Sequence, residues 1–158
     1  MAEPRWLTDD EQRAWRGLVS VVLRLPGALE SQLQREADLS HFEYWVLALL
    51  SEADGRARRM RDLAQLANGS LSRLSHVVTR LERRGFVARE PAPDDARSTL
   101  AVLTDAGYAQ VVATAPGHVA TVRALVFDAL AGRDVADLER ICDALVASLD
   151  AHTGPRAG

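Results

Sequence analysis

The sequence predicts a mainly α protein with one small β element (class α+β), on three observations. Apolar residues recur at spacings of three and four along most of its 158 residues. Two runs of capping-box form, Thr8-Asp9-Asp10-Glu11 and Ser40-His41-Phe42-Glu43, mark helix starts. Strand character is concentrated at 86–103, around a proline-rich turn. Hydrophobic residues make up 47%, which suffices for a packed core, but aromatics are only 5%, so aliphatic side chains must fill it.

A first helix is expected from Asp9 to about Glu36, with Trp15, Leu18, Val19, Val22 and Leu25 on one stripe and a kink at Pro26. A second runs from the Ser40 cap to about Ala53, burying Phe42, Trp45, Val46, Leu49 and Leu50, and ends at Gly55. Arg56 to Met60 reads as a basic connector. A short helix from Arg61 to Ala67 precedes Asn68-Gly69, a pair suited to a tight left-handed turn. Ser70 or Ser72 then caps a helix to about Arg84, with Leu71, Leu74, Val77, Val78 and Leu81 inward. Strands at Phe86 to Glu90 and Thr99 to Leu103 flank a loop at 91–98. Thr104 caps a helix to about Leu130, kinked near Pro116-Gly117, and a last helix spans Val135 to Asp150 after a turn at Gly132-Arg133-Asp134.

A short helix, a tight turn, a second helix and a hairpin make the winged helix-turn-helix arrangement. The expected organisation is a DNA-binding lobe at 37–104. Residues 1–36 and 105–150 form a helical dimerisation region, with long N- and C-terminal dimerisation helices, and 151–158 form a disordered tail. The charge distribution agrees. The formal net charge is −3, yet 54–104 holds ten Arg against six acids, a local +4, while the remainder holds nine Arg and sixteen acids. A basic window in an acidic body is the footprint of a polyanion partner. No Lys occurs, so every cationic contact must come from a guanidinium.

The second helix of the motif is about 20 Å long and presents Ser72, Arg73, Ser75, His76, Arg80 and Arg83 opposite its apolar stripe. With the amide-rich start at Ser70, Ser72, Arg73, Ser75, His76 and Arg80 are the expected duplex contacts, while Arg83 and Arg84 are expected to touch phosphate or simply to solvate the helix C-terminus. A plain solvated helix face is the competing reading for any one of them. Arg97, alone on the hairpin tip, suits the minor groove, where negative potential is high. Asp95 and Arg89 are expected to support the wing. Trp6, Leu7, Leu138, Ile141 and Leu145 lie on terminal stripes that one lobe cannot cover, so they are assigned to a homodimer interface.

Three runs resemble MarR-family regulators: Leu81-Glu82-Arg83-Arg84-Gly85-Phe86-Val87-Ala88-Arg89, Asp95-Ala96-Arg97-Ser98 and Leu103-Thr104-Asp105-Ala106-Gly107. They match the family's "LExxGxVxR", "DxRS" and "LTxxG" motifs in order and spacing. The resemblance implies a homodimeric regulator on a near-palindromic double-stranded operator. It also implies repression relieved by a small-molecule effector, often an aromatic acid. Trp15, Trp45 and His118 are candidates to line the effector pocket, although core packing is the plainer role for the tryptophans. Arg61 stands where the family usually has a Ser or Thr cap, Asn68 where it has Gly, and His76 where Arg is common.

No phosphate loop, nucleophile motif or metal-ligand cluster occurs, so neither an enzyme nor a cofactor is expected. The alternative class is a winged-helix protein-interaction module, against which the clustered arginines count. Cys142, on an apolar stripe with Leu138, Leu145 and Leu149, reads as packing. No apolar run approaches the roughly 20 residues of a membrane span, and 1–12 does not read as a signal peptide, so a cytoplasmic protein is expected.

Overall fold

The computed structural model describes residues 3–153. Helix α1 spans Asp9–Ala37 and α2 spans His41–Ser51. Strand β1 (Ala57–Arg59) leads directly into α3 (Met60–Leu66), followed by α4 (Leu71–Arg83). The hairpin consists of β2 (Val87–Ala92) and β3 (Asp95–Leu103). Helices α5 (Asp105–Leu125) and α6 (Gly132–Thr153) complete the chain. Both capping boxes form, with each Ser or Thr hydroxyl and each Glu carboxylate accepting from the other residue's backbone amide.

The sheet is antiparallel, in the order β1-β3-β2. Strand β1 is the main departure from expectation: the basic connector pairs Ala57 with Val102, Arg58 with Ala101 and Arg59 with Leu100. The presumed 91–98 loop is mostly strand, because Ala92 pairs with Asp95 and only Pro93 and Asp94 are left to make the tip. The long helix expected to reach Leu130 stops at Leu125, and Phe127–Ala129 form a 3-10 turn. The expected turn at 132–134 is instead the first turn of α6, where the Asp134 carboxylate accepts from the Ala131 amide at 3.0 Å. The tail expected to begin at 151 continues α6 through Thr153, and the rest of it lies outside the described residues. Pro26 and Pro116 both sit inside helices that run continuously past them.

The core lies beneath α2, α3, α4 and the sheet. Leu33, Leu39, Val46, Leu47, Leu50, Leu63, Leu74, Val78 and Leu81 are fully buried there. The turn from wing to frame is equally close. Thr104 caps α5 by accepting from the Gly107 amide, and its hydroxyl donates to the Gly85 carbonyl at 2.6 Å. A Cβ on Gly107 would collide with the Phe86 carbonyl oxygen, so only glycine fits. Among the described residues helix α6 contributes no buried side chain within one chain: Ile141, Leu145, Val146 and Leu149 are all exposed.

Candidate nucleic-acid interface

Helix α4 is placed by the turn before it. Asn68 adopts the left-handed conformation (φ 53°), and the Gly69 amide donates to the Ala64 carbonyl at 3.0 Å. A Cβ on Gly69 would meet the Phe42 ring at 2.8 Å, so α2 closes on the turn. Ser70 is the cap, its hydroxyl accepting from the Arg73 amide at 3.1 Å.

Leu74, Val77, Val78 and Leu81 bury one face of α4. The opposite face, expected to be a single polar strip, is divided. Ser72, Arg73, His76, Arg80 and Arg83 are exposed, whereas Ser75 and Thr79 are half-buried beneath β2. There the Arg89 guanidinium donates to the Ser75 carbonyl at 2.9 Å, to the Ser75 hydroxyl at 3.3 Å and to the Thr79 hydroxyl at 3.2 Å. Arg89 also pairs with the Glu82 carboxylate. Of the residues expected to meet bases, Ser75 is thus committed to the wing.

The remaining guanidiniums sort by commitment. Arg56 pairs with Asp105 at 3.1 Å and lies over the Tyr108 ring, and Arg59 pairs with Asp94 at the hairpin tip. Arg84 donates to the Asp38 carbonyl at 2.6 Å. Arg73 lies over the Phe42 ring, 4.1 Å from its centroid. Arg80 gives only its Nε, to Glu43 at 2.9 Å. The side chains of Ser72, His76, Arg83 and Arg97 form no hydrogen bond or ion pair among the described residues. Such groups keep their full capacity for an outside acceptor.

At the wing, Asp95 accepts from the Arg97 backbone amide at 3.0 Å and from the Ser98 hydroxyl at 2.7 Å. These two bonds, the Ser98 one foremost, hold its carboxyl below the ordinary value. Asp95 therefore shapes the strand that carries Arg97 and leaves the guanidinium unbound. Arg59, Arg61, Arg89 and Arg97 line a groove of about 610 Å³ between α3 and the wing, with Ser98 and Thr99. This groove beside α4 is rich in guanidinium groups, as a polyanion surface requires.

Glu43 was legible only as a cap. It is 7% exposed, and its carboxylate also accepts from the Ser40 amide at 2.8 Å. Burial opposes its ionisation, but the Ser40 amide, Arg80 and the Ser40 hydroxyl outweigh that and hold its carboxyl below the ordinary value. Opposite α4, Pro26, Glu30, His41, Phe42 and Trp45 close a cleft of about 1200 Å³ that reaches Arg73, His76 and Arg80.

Of the three residues expected around an effector, only Trp45 lines this cleft within one chain. His118 lies behind it on α5, its ring 6.1 Å from that of His41 and 4.6 Å from that of Tyr44. Its Nδ1 is 3.2 Å from the Oε1 of buried Gln32. Burial lowers the pKa of both histidines; Glu30 partly counters this at His41, and His41 adds to it at His118. Trp15 is apart from the cleft and exposed on α1. Of the expected interface residues, Trp6, Leu7, Ile141 and Leu145 are exposed and Leu138 half-buried. Among the described residues no group of three or more His, Cys, Asp or Glu could hold a metal ion, and no helix is long and apolar enough to cross a membrane.

Known proteins share this architecture and much of its sequence. The MarR family profile matches residues 37–98. A MarR family transcriptional regulator from Streptomyces coelicolor, solved in complex with DNA, superposes with a TM-score of 0.90 at 42% identity, over 99% of this chain and 95% of that one. AbsC, a MarR family transcriptional regulator from the same organism, gives 0.88 at 40% identity, over 94% of this chain and 99% of its own. An uncharacterized HTH-type transcriptional regulator of Bacillus subtilis, YdcH, is 32% identical over 83 residues; the match spans 56% of that protein.

Proposed function

The chain belongs to the MarR family, and from that premise we propose that it is a homodimeric, sequence-specific DNA-binding transcriptional regulator, acting as a repressor in the cytoplasm. One observation carries the DNA-binding reading. Ser72, His76 and Arg83 on α4 and Arg97 on the wing are exposed and uncommitted, whereas Arg56, Arg59, Arg84 and Arg89 are bonded within the chain. Helix α4 would enter the major groove with Ser70, Ser72 and Arg73 at its start and His76 and Arg80 further along. Arg97 would reach the adjacent minor groove.

The exposed apolar residues of the terminal segments support the homodimer. Trp6 is 82% exposed and Leu149 61%, and Leu7, Ile141 and Leu145 are each exposed by more than 40%. An aliphatic face left in water on this scale favours association. A monomer by light scattering at micromolar concentration would remove this part of the reading.

The cleft between α2 and α4 supports a small-molecule effector. It joins the rings of Phe42 and Trp45 to Arg73 and Arg80, which suits an aromatic anion, and an occupant there would touch residues of the DNA face itself.

Binding-site selection with the purified protein tests the central claim. The expected result is a near-palindromic consensus with half-site centres about one helical turn, roughly 34 Å, apart. A His76→Ala protein should return a consensus altered at one position per half-site. No enrichment by the wild-type protein would overturn the DNA-binding reading.

A further inference from the structure

Among the described residues, Glu43 is the one acidic side chain that is buried. Burying a carboxylate is costly unless its charge is used. The α2 cap does not need that charge, since glutamine serves a capping box as well. The charge is used by Arg80. One carboxylate oxygen accepts from the Ser40 amide at 2.8 Å, and the other accepts from Arg80 Nε at 2.9 Å.

Arg80 lies one helical turn beyond His76 on the exposed face of α4, and its side chain is 54% exposed. Its two terminal nitrogens have no partner among the described residues. A guanidinium is planar and rigid, so a bond at Nε sets the direction of both terminal amino groups. Arg89 differs in kind: its terminal groups are spent inside the chain, on Ser75, Thr79 and Glu82. Arg84, one turn after Arg80, donates to the Asp38 carbonyl, so two arginines fasten α4 to α2 and to the turn that leads into it.

We propose that Glu43 is a positioning residue for DNA selectivity, which fixes the Arg80 guanidinium so that its free edge meets the duplex in one orientation. This rests on the DNA-binding reading above. It assigns to an α2 residue outside the groove-facing strip a part in choosing the sequence.

Glu43→Gln separates the two jobs of this side chain. The amide oxygen still accepts from Ser40, but the other position becomes an amino group that cannot accept from Arg80 Nε. Affinity is measured for the selected site and for a scrambled duplex of equal length, with circular dichroism melting as the control for folding. The variant should melt near the wild type and lose roughly tenfold in selected-site affinity, the scale of one charge-assisted contact. Scrambled-duplex affinity should stay level or rise, because a negative charge beside the DNA has gone. In an Arg80→Ala background, adding E43Q should change the ratio of the two affinities by less than about twofold, as coupled residues require.

An unchanged ratio in Glu43→Gln, or an equal loss with and without Arg80, would overturn the assignment. If Glu43→Gln does not fold, Arg80→Lys carries the test, since it keeps the charge and loses the Nε bond. It should lower the ratio similarly, and wild-type selectivity would overturn the proposal. A wild-type protein without preference for any site would defeat the DNA-binding reading itself, whereas a selective wild type with an equally selective E43Q would defeat only the positioning role.

Discussion

The Arg89 guanidinium, on the wing strand β2, donates to the Ser75 carbonyl, in the second turn of α4, at 2.9 Å. That carbonyl also accepts from the Thr79 hydroxyl. The proposed recognition helix and the wing strand are thereby joined by one side chain. Arg89→Ala should lower stability by about 2 kcal/mol, because it removes several bonds and leaves the half-buried Glu82 carboxylate without its cation. Urea unfolding measures the loss, and a midpoint equal to the wild type would deny Arg89 this bracing role.

Arg97 invites the opposite result. Its guanidinium is exposed and unbonded, so Arg97→Ala should leave the unfolding midpoint within about 0.5 kcal/mol of wild type. Binding to every duplex should weaken, and the slope of log affinity against log salt should fall by about one. An unaltered salt slope would show that Arg97 touches neither phosphate nor minor groove.

Gly107→Ala places a methyl group against the Phe86 carbonyl oxygen, where the backbone cannot yield without shifting α5. The expected cost is about 1–3 kcal/mol, the range of overpacking in a tight site. Differential scanning calorimetry would register it; a melting temperature equal to the wild type would mean that the α5 start relaxes freely.

Acidification should act through His41 and His118. Burial keeps both below the ordinary histidine value of 6.5, so between that value and their folded values the unfolded chain binds more protons. Their contribution to stability is therefore complete above pH 6.5 and is lost as pH falls through the lowered folded values. His118→Gln, which keeps a donor for Gln32, should flatten that part of the stability–pH curve. A curve of wild-type steepness in the variant would assign the effect to other groups.

Much of this architecture is written locally. Thr8, Ser40, Ser70 and Thr104 each cap the helix their neighbourhood implies, because a cap involves residues only three apart. Strand β1 escaped because it is three residues long, two of them arginines, and gains its identity only by pairing with β3 more than forty residues away. Ser75 was read as groove-facing because helical periodicity shows which face is polar but not what packs upon it. The second oxygen of Glu43 was hidden for the same reason: its partner Arg80 is 37 residues distant.

The turn that launches α4 has a chemical consequence as well. Asn-Gly pairs age by attack of the glycine amide nitrogen on the asparagine side chain, which forms a succinimide and then isoaspartate. Here the Gly69 amide is bound to the Ala64 carbonyl, and the Phe42 ring closes over the glycine. The folded protein therefore shields this step from deamidation, and the backbone ahead of α4 should keep its length and direction for as long as the domain stays folded.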